Sequence, residues 1–242
     1  SAGAFVGGGR NNNALHSNIF IGGGASNTAS GPSSIVVGGN INCALGGQST
    51  IVGGQLNKAS GDKSFIGGGA CLSASGNYSF TGTGLKNKAT ASCSVVVGGT
   101  YNCATGMYSN IVGGRVNSAS GHGSFIGSGH HNNSTGCESI IVGGDYNTAS
   151  GNKSFVGGGY CINASGHYSS AVGGQYNYAV GQHTFVGGGY GNKACGSCSI
   201  VLGGRSNTIG ASYNDSVIIG SNITAVSANL LHANGLFLKA ST

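Results

Sequence analysis

From residue 4 onwards, short apolar runs return at a fixed interval. Aligning the chain on Ser64-Phe65-Ile66-Gly67-Gly68-Gly69 gives an unbroken 15-residue register. Repeats start at residues 4, 19, 34, 49, 64, 79, 94, 109, 124, 139, 154, 169, 184 and 199. With positions numbered as slots 1 to 15, slot 6 is glycine in all 14 repeats, and slot 5 in 12, Thr83 and Ser128 being the exceptions. Slot 9 is asparagine in 12, slot 11 alanine in 12, slot 13 glycine in 11 and slot 1 serine in 11. A fixed short period is the mark of a repeat architecture.

A 15-residue repeat is too short for a helical hairpin, and its glycines disfavour helix. It holds two short strands, at slots 1 to 4 and about 9 to 12. The glycines at slots 5 and 6 allow a tight bend with positive φ, and glycine at slot 13 makes the second bend. The expected fold is therefore all-β: a parallel β-roll or β-solenoid of about 14 coils, stacked at about 4.8 Å and stable only through its neighbours. Residues 1–211 form this repeat region and residues 212–242 a terminal capping segment.

Within the first strand, slot 2 is phenylalanine in seven repeats: Phe5, Phe20, Phe65, Phe80, Phe125, Phe155 and Phe185. In all seven, slot 4 is glycine; elsewhere it is valine or leucine. Slots 2 and 4 share one side of a strand, so a large residue at one is matched by a small one at the other. Slot 3 points the opposite way and is Val or Ile in 12 repeats, Ile66, Val96 and Ile141 among them. A strand apolar on both sides is buried on both. One roll covers only one side, so the other calls for a second copy of the chain. Whether slots 1 and 3 or slots 2 and 4 face the roll interior stays open.

The asparagine column includes Asn27, Asn42, Asn57, Asn87, Asn102, Asn117, Asn132 and Asn147. Identical amides one coil apart can bond to each other as a ladder; asparagine also tolerates a left-handed turn.

The repeat S-[FI]-[IV]-G-G-G-x-x-N-x-A-S-G-x-x resembles the head repeats of YadA-like trimeric adhesins, S-V-A-I-G-x-x-S-x-A-x-G-x-x, over about residues 4 to 211. Ser64, Ile66, Gly68, Ala74 and Gly76 take the matching places. The resemblance implies a left-handed parallel β-roll, a homotrimer and a role in surface attachment. The chain departs from that pattern by one extra residue per coil and by asparagine where serine is usual. Ser216–Asn222 reads as a shortened last coil. The stretch Ile223 to Lys239 resembles segments that close repeat regions in phage and large-virus fibres. A virion fibre is the expected role, with the head of a bacterial surface adhesin as the alternative. An ice-binding solenoid is a third reading, but it asks for a regular threonine array and threonine fills no column. The chain opens on Ser1 rather than methionine and reads as processed or partial.

Composition agrees with a sparsely charged structural protein. Of 242 residues 51 are glycine, one is proline and 6% are charged. Glycine does not recur every third residue, which rules out collagen. No run reaches the roughly 18 apolar residues of a membrane span, so no membrane insertion is expected. The eight cysteines occupy slots 8, 10, 12, 14 and 15, never the same slot in adjacent repeats, so no disulfide ladder is written into the repeat. Mostly free thiols point to assembly in a reducing compartment, with virion surface or cell exterior as the final location.

Cys195-Gly196-Ser197-Cys198 has redox spacing without a thioredoxin-like βαβ context, and zinc would want a second pair. The carboxylates Asp62, Glu138, Asp145 and Asp215 lie too far apart for acid–base hydrolysis. The glycine runs lack the lysine and helix of a phosphate loop. No catalytic, cofactor or metal site is expected, and no enzyme. A net charge of +6 raises nucleic acid or acidic glycans as partners, but the basic residues are dispersed, which argues for solubility instead. Tyrosines fall on turn slots and gather in Tyr146, Tyr160, Tyr176, Tyr178 and Tyr190. They can anchor a cell-surface receptor or glycan, or pack between neighbouring subunits.

Overall fold

A computed structural model describes residues 3–234. Residues 235–239 of the fibre-like tail lie outside the described residues. The chain is an all-β parallel solenoid of about 15 coils. It divides into two compact units, Ser1–His131 and Asn132–Thr242.

In the N-terminal unit each coil contributes one two-residue strand to each of two parallel sheets. One sheet collects slots 2 and 3, from β1 (Phe5–Val6) to β17 (Phe125–Ile126); the other collects slots 10 and 11, from β2 (Asn13–Ala14) to β16 (Ser118–Ala119). The C-terminal unit repeats the arrangement, from β19 (Ile140–Ile141) to β27 (Ile200–Val201) and from β18 (Asn133–Ser134) to β28 (Thr208–Ile209). Pairing joins equivalent slots of successive coils, as in Phe65↔Phe80 and Ile66↔Thr81. The strands are shorter than the sequence suggests, because the coil bends wherever a glycine or left-handed residue interrupts it.

Beyond residue 211 the 15-residue interval ends while stacking continues. Ile200 pairs with Val217 on β29 (Val217–Ile219), and Val217 with Leu231 on β30 (Leu231–Ala233).

The interior is thin. Slot 3 residues such as Ile66, Val96 and Ile141 are fully buried, and so are the slot 11 alanines from Ala29 onwards. Slots 1 and 3 therefore point inward, and slots 2 and 4 outward. Chain geometry makes this choice: the slot 1 N–H turns back onto slot 13 of the preceding coil, as in Ser64 N–H to Gly61 carbonyl at 3.2 Å. The slot 1 side chain is carried inside with it.

That leaves a file of buried serines. The hydroxyls of Ser34, Ser49, Ser64 and Ser79 have no hydrogen-bond partner. A buried hydroxyl without a partner contributes nothing to stability and loses its hydration. Ser64→Ala is therefore expected to leave the unfolding free energy within about 0.5 kcal/mol of the parent, or to raise it. Urea unfolding of the two proteins checks this, and a loss above about 2 kcal/mol would mean that the hydroxyl is bonded.

The glycines divide into three physical classes, which differ from the expectation. Slot 6 glycines do carry positive φ, from 83° at Gly144 to 115° at Gly69. Slot 5 glycines such as Gly53 and Gly113 have open space where a Cβ would stand, which explains Thr83 and Ser128 there. Slot 13 glycines do not bend by positive φ. A Cβ on Gly61 would strike the Gly76 carbonyl of the next coil, so close approach selects glycine.

Left-handed backbone falls instead on slots 8 and 15, and on residues of every kind. Ile41, Val116, Cys71 and Tyr146 occupy slot 8 with φ between 55° and 57°; Gln48, Lys63, Tyr78 and Cys93 occupy slot 15 with φ between 56° and 58°. Each non-glycine residue held this way costs about 1 kcal/mol. The return is hydrogen bonding. Most N–H groups donate forward to the next coil, whereas those at slots 8 and 15 donate backward, as Ile41 to the Ala25 carbonyl at 2.9 Å and Lys63 to the Gly47 carbonyl at 2.8 Å. Both corners are thereby stitched to their neighbours in both directions.

Candidate interaction surfaces

The asparagine column is a buried spine whose rungs run from side chain to backbone. Asn102 Nδ2 donates to the Gly98 carbonyl at 3.0 Å and to the Gly114 carbonyl of the next coil at 2.9 Å. Its Oδ1 accepts the Asn117 N–H at 3.0 Å. The same triple set recurs at Asn27, Asn42 and Asn57. Asn87, Asn132 and Asn147 supply their carbonyl oxygens to the next coil's slot 9 N–H, and Asn117 Nδ2 bonds Gly113 and Gly129. The expected amide-to-amide rung appears between Asn192 Nδ2 and Asn177 Oδ1 at 3.1 Å. A primary amide spends itself on backbone here because the slot 5 carbonyl and the slot 9 N–H would otherwise stay unpaired at this corner; the slot 6 carbonyl also accepts the slot 7 N–H of the preceding coil, as Gly114 does from Thr100 at 3.0 Å. Where Leu72 and Ile162 replace asparagine, the slot 6 φ drifts to 115° and 104° at Gly69 and Gly159, against 83° to 100° elsewhere. The amide groups of the spine are spent on backbone partners.

A second, exposed ladder escaped sequence reading. Asp62 Oδ1 accepts the Gly47 N–H at 2.8 Å, Asn77 Oδ1 the Asp62 N–H at 3.0 Å, and Asn152 Oδ1 the Cys137 N–H at 3.2 Å. The signal was Asx at slot 14 one coil after the N–H it satisfies.

Outside each unit, the slot 2 and slot 4 side chains form a continuous apolar face. In the N-terminal unit Val37, Val52, Val97 and Val112 are between 43% and 49% exposed; in the C-terminal unit Ile140, Val142, Val172 and Leu202 are 39% to 51% exposed. Phe5 and Phe20 are also exposed, while Phe65, Phe80, Phe125, Phe155 and Phe185 are half-buried. The half-burial has a cause. A Cβ at Gly22 or Gly82 would lie 3.3 or 3.2 Å from the ring edge of Phe20 or Phe80 of the same coil. The ring roofs its own slot 4, and rings in successive coils stack, Phe5 on Phe20 and Phe65 on Phe80, with centroids 5.4 Å apart.

No protein-family model matches the chain, and no curated protein matches it. What the surfaces can do therefore rests on their chemistry alone.

At the slot 7–8 corner of the C-terminal unit, Tyr146, Tyr160, Tyr176 and Tyr190 meet edge to face in four successive coils, with centroids 5.9, 5.5 and 5.6 Å apart. The Arg205 guanidinium lies 5.2 Å from the Tyr190 ring centre. The neighbouring Cys161 pushes the Tyr160 hydroxyl's pKa up. Tyr178, grouped with these from sequence, sits on the second sheet at β24 (Tyr178–Ala179).

Lysines elsewhere at the left-handed slots pair with tyrosines one coil on. Lys63 Nζ donates to Tyr78 Oη at 3.0 Å and Lys86 Nζ to Tyr101 Oη at 2.9 Å, and each bond raises its lysine's pKa. The cations are thus spent within the corners rather than gathered into a basic stripe. Lys153 and Glu138 stand 3.8 Å apart with both side chains about half exposed, a pair worth little.

The cysteines are free, Cys198 exposed and the other seven half-buried. Burial pushes the Cys103 thiol up, away from the thiolate form that reacts. Among the described residues no group of three or more metal-ligating side chains converges. No described helix is long and apolar enough to cross a membrane.

Proposed function

We propose that this protein is a non-enzymatic structural fibre or spike, assembled as a homotrimer and serving attachment at a virion surface. The observation that carries the reading is the outward apolar face of the slot 2–3 sheet. Eight aliphatic side chains at slots 2 and 4 stand 39% to 51% exposed while the interior is already filled. Contiguous apolar surface of this kind marks an interface. A face that repeats every coil is best covered by one that repeats at the same interval, and a second copy of the chain supplies it. The resemblance of the repeat to trimeric adhesin heads favours three copies. The fibre-like closing segment favours a virion over a cell envelope.

Mass measurement by sedimentation equilibrium, with and without reductant, tests the assembly. The expected result is a species of three chains, unchanged by reductant because the thiols are free. A monomer at micromolar concentration would overturn the reading, and a trimer that falls apart in reductant would assign the joining to disulfides instead.

A further inference from the structure

The corner that carries Tyr146, Tyr160, Tyr176 and Tyr190 is a checkerboard rather than a plain aromatic column. Tyrosine alternates between slot 8 and slot 7 from coil to coil. Opposite each slot 8 tyrosine stands a hydrogen-bonding side chain at slot 7, Asp145 beside Tyr146 and Gln175 beside Tyr176. Opposite each slot 7 tyrosine stands a small residue at slot 8, Cys161 beside Tyr160 and Gly191 beside Tyr190. Arg205 and Ser206 close the series in the next coil. All four rings are 37% to 48% exposed. The left-handed backbone at Tyr146, Cys161 and Tyr176, with φ of 57°, 53° and 55°, turns this edge outward, and Gly191 continues it at 65°.

We propose that this edge binds a linear polysaccharide of pyranose rings along the stacking direction. Exposed aromatic faces take the C–H faces of sugar rings, while Asp145, Gln175 and Arg205 reach ring hydroxyls at every second coil. The gaps at Cys161 and Gly191 leave room for substituents. The shape selects the ligand class. A protein partner needs roughly 800 Å² per side around a desolvated centre, and a ridge two residues wide offers only a line. Single-stranded nucleic acid would also stack on tyrosine, but it needs a basic groove beside the rings. Here the one guanidinium at one end is offset by the Asp145 carboxylate at the other. The proposal deepens the attachment reading by naming its ligand class, and it does not depend on the number of chains.

The test is native affinity electrophoresis of the full chain in gels containing hydroxyethylcellulose, laminarin, dextran or hyaluronate. At least one polymer should retard the protein. Tyr176→Asn, which keeps a side chain suited to left-handed backbone, should raise the apparent Kd about fivefold or more, and Gln175→Ala should raise it too. Tyr78→Ala, at an exposed tyrosine of the N-terminal unit, should leave retardation unchanged. Circular dichroism melts of the variants establish that they fold. Retardation by none of the polymers, or equal retardation of parent and ridge variants, overturns the proposal. A lower sedimentation mass for folded Tyr176→Asn also overturns it, by making the ridge a contact between copies. The trimer reading fails separately, on the mass of the parent protein.

Discussion

Gly114→Ala is expected to unfold the N-terminal unit's stack locally, while Gly113→Ala, one residue away, is expected to be harmless. Gly114 holds φ at 85°. A Cβ there would strike the Gly129 carbonyl and stand 2.6 Å from Asn117 Nδ2 and 2.7 Å from the Gly129 nitrogen. Two of these three atoms are backbone of the next coil and cannot rotate away. The third is the amide that satisfies the corner. Left-handed backbone costs about 1 kcal/mol for alanine, and forcing the coils apart adds about 1–3 kcal/mol or more. A loss of about 3 kcal/mol or more is therefore expected. At Gly113 nothing lies within 4 Å of the added methyl, and its φ is not in the left-handed region. Alanine there should be neutral or stabilise by up to about 1 kcal/mol, since it restricts the unfolded chain. Thermal and urea unfolding of the pair decide it. Equal effects at the two sites would refute the three-class account of the glycines.

Asn102→Ala should cost about 2–4 kcal/mol. The substitution removes two donors and one acceptor and leaves the Gly98 carbonyl and the Asn117 N–H without their partner, while the Gly114 carbonyl keeps the Thr100 N–H at 3.0 Å. Buried backbone groups left in that state cost about 1–3 kcal/mol each, partly relieved if the corner relaxes or water enters. Asn102→Leu should be milder, because the chain itself carries Leu72 and Ile162 in this column and accommodates them by a shift at slot 6. Amide hydrogen exchange offers a local readout: protection at Asn117 should fall in both variants. Full protection of that amide in Asn102→Ala would show that the bond is not what holds the corner. Urea midpoints give the energetic comparison, with the unit's cooperativity checked by a second probe.

Much of the fold is legible because each coil faces copies of itself. When Phe65 pairs with Phe80 and Ile66 with Thr81, any requirement at one slot is imposed at the same slot in every coil, so tertiary constraint surfaces as a column in the sequence. The pairing of phenylalanine with glycine at slots 2 and 4 is readable for the same reason, and the ring edge over Gly22 and Gly82 gives its cause. The inward or outward sense of the first strand was not readable. Apolar residues fill both of its sides, and period 2 says only that the sides differ.

The functional surfaces are less legible than the scaffold. Tyr146, Tyr160, Tyr176 and Tyr190 alternate between two slots, so no single column reveals that their rings meet. The left-handed corners escaped notice because they carry Ile41, Val116, Cys71 and Lys63 rather than glycine. Their conformation is imposed by bonds to the coil before, not by local preference.

Coil length, parallel in-step stacking and the two-sided apolar strand are written in the order of the residues, since a 15-residue period with a filled glycine column admits few other solutions. Three features emerge from the packed coils alone: slots 1 and 3 turn inward, asparagine serves the backbone more than its neighbours' amides, and slot 13 is glycine for want of room. The last two depend on atoms of the neighbouring coil, 12 to 15 residues away in the chain. Spacing reports that such neighbours exist; only three-dimensional packing reports which of their atoms meet.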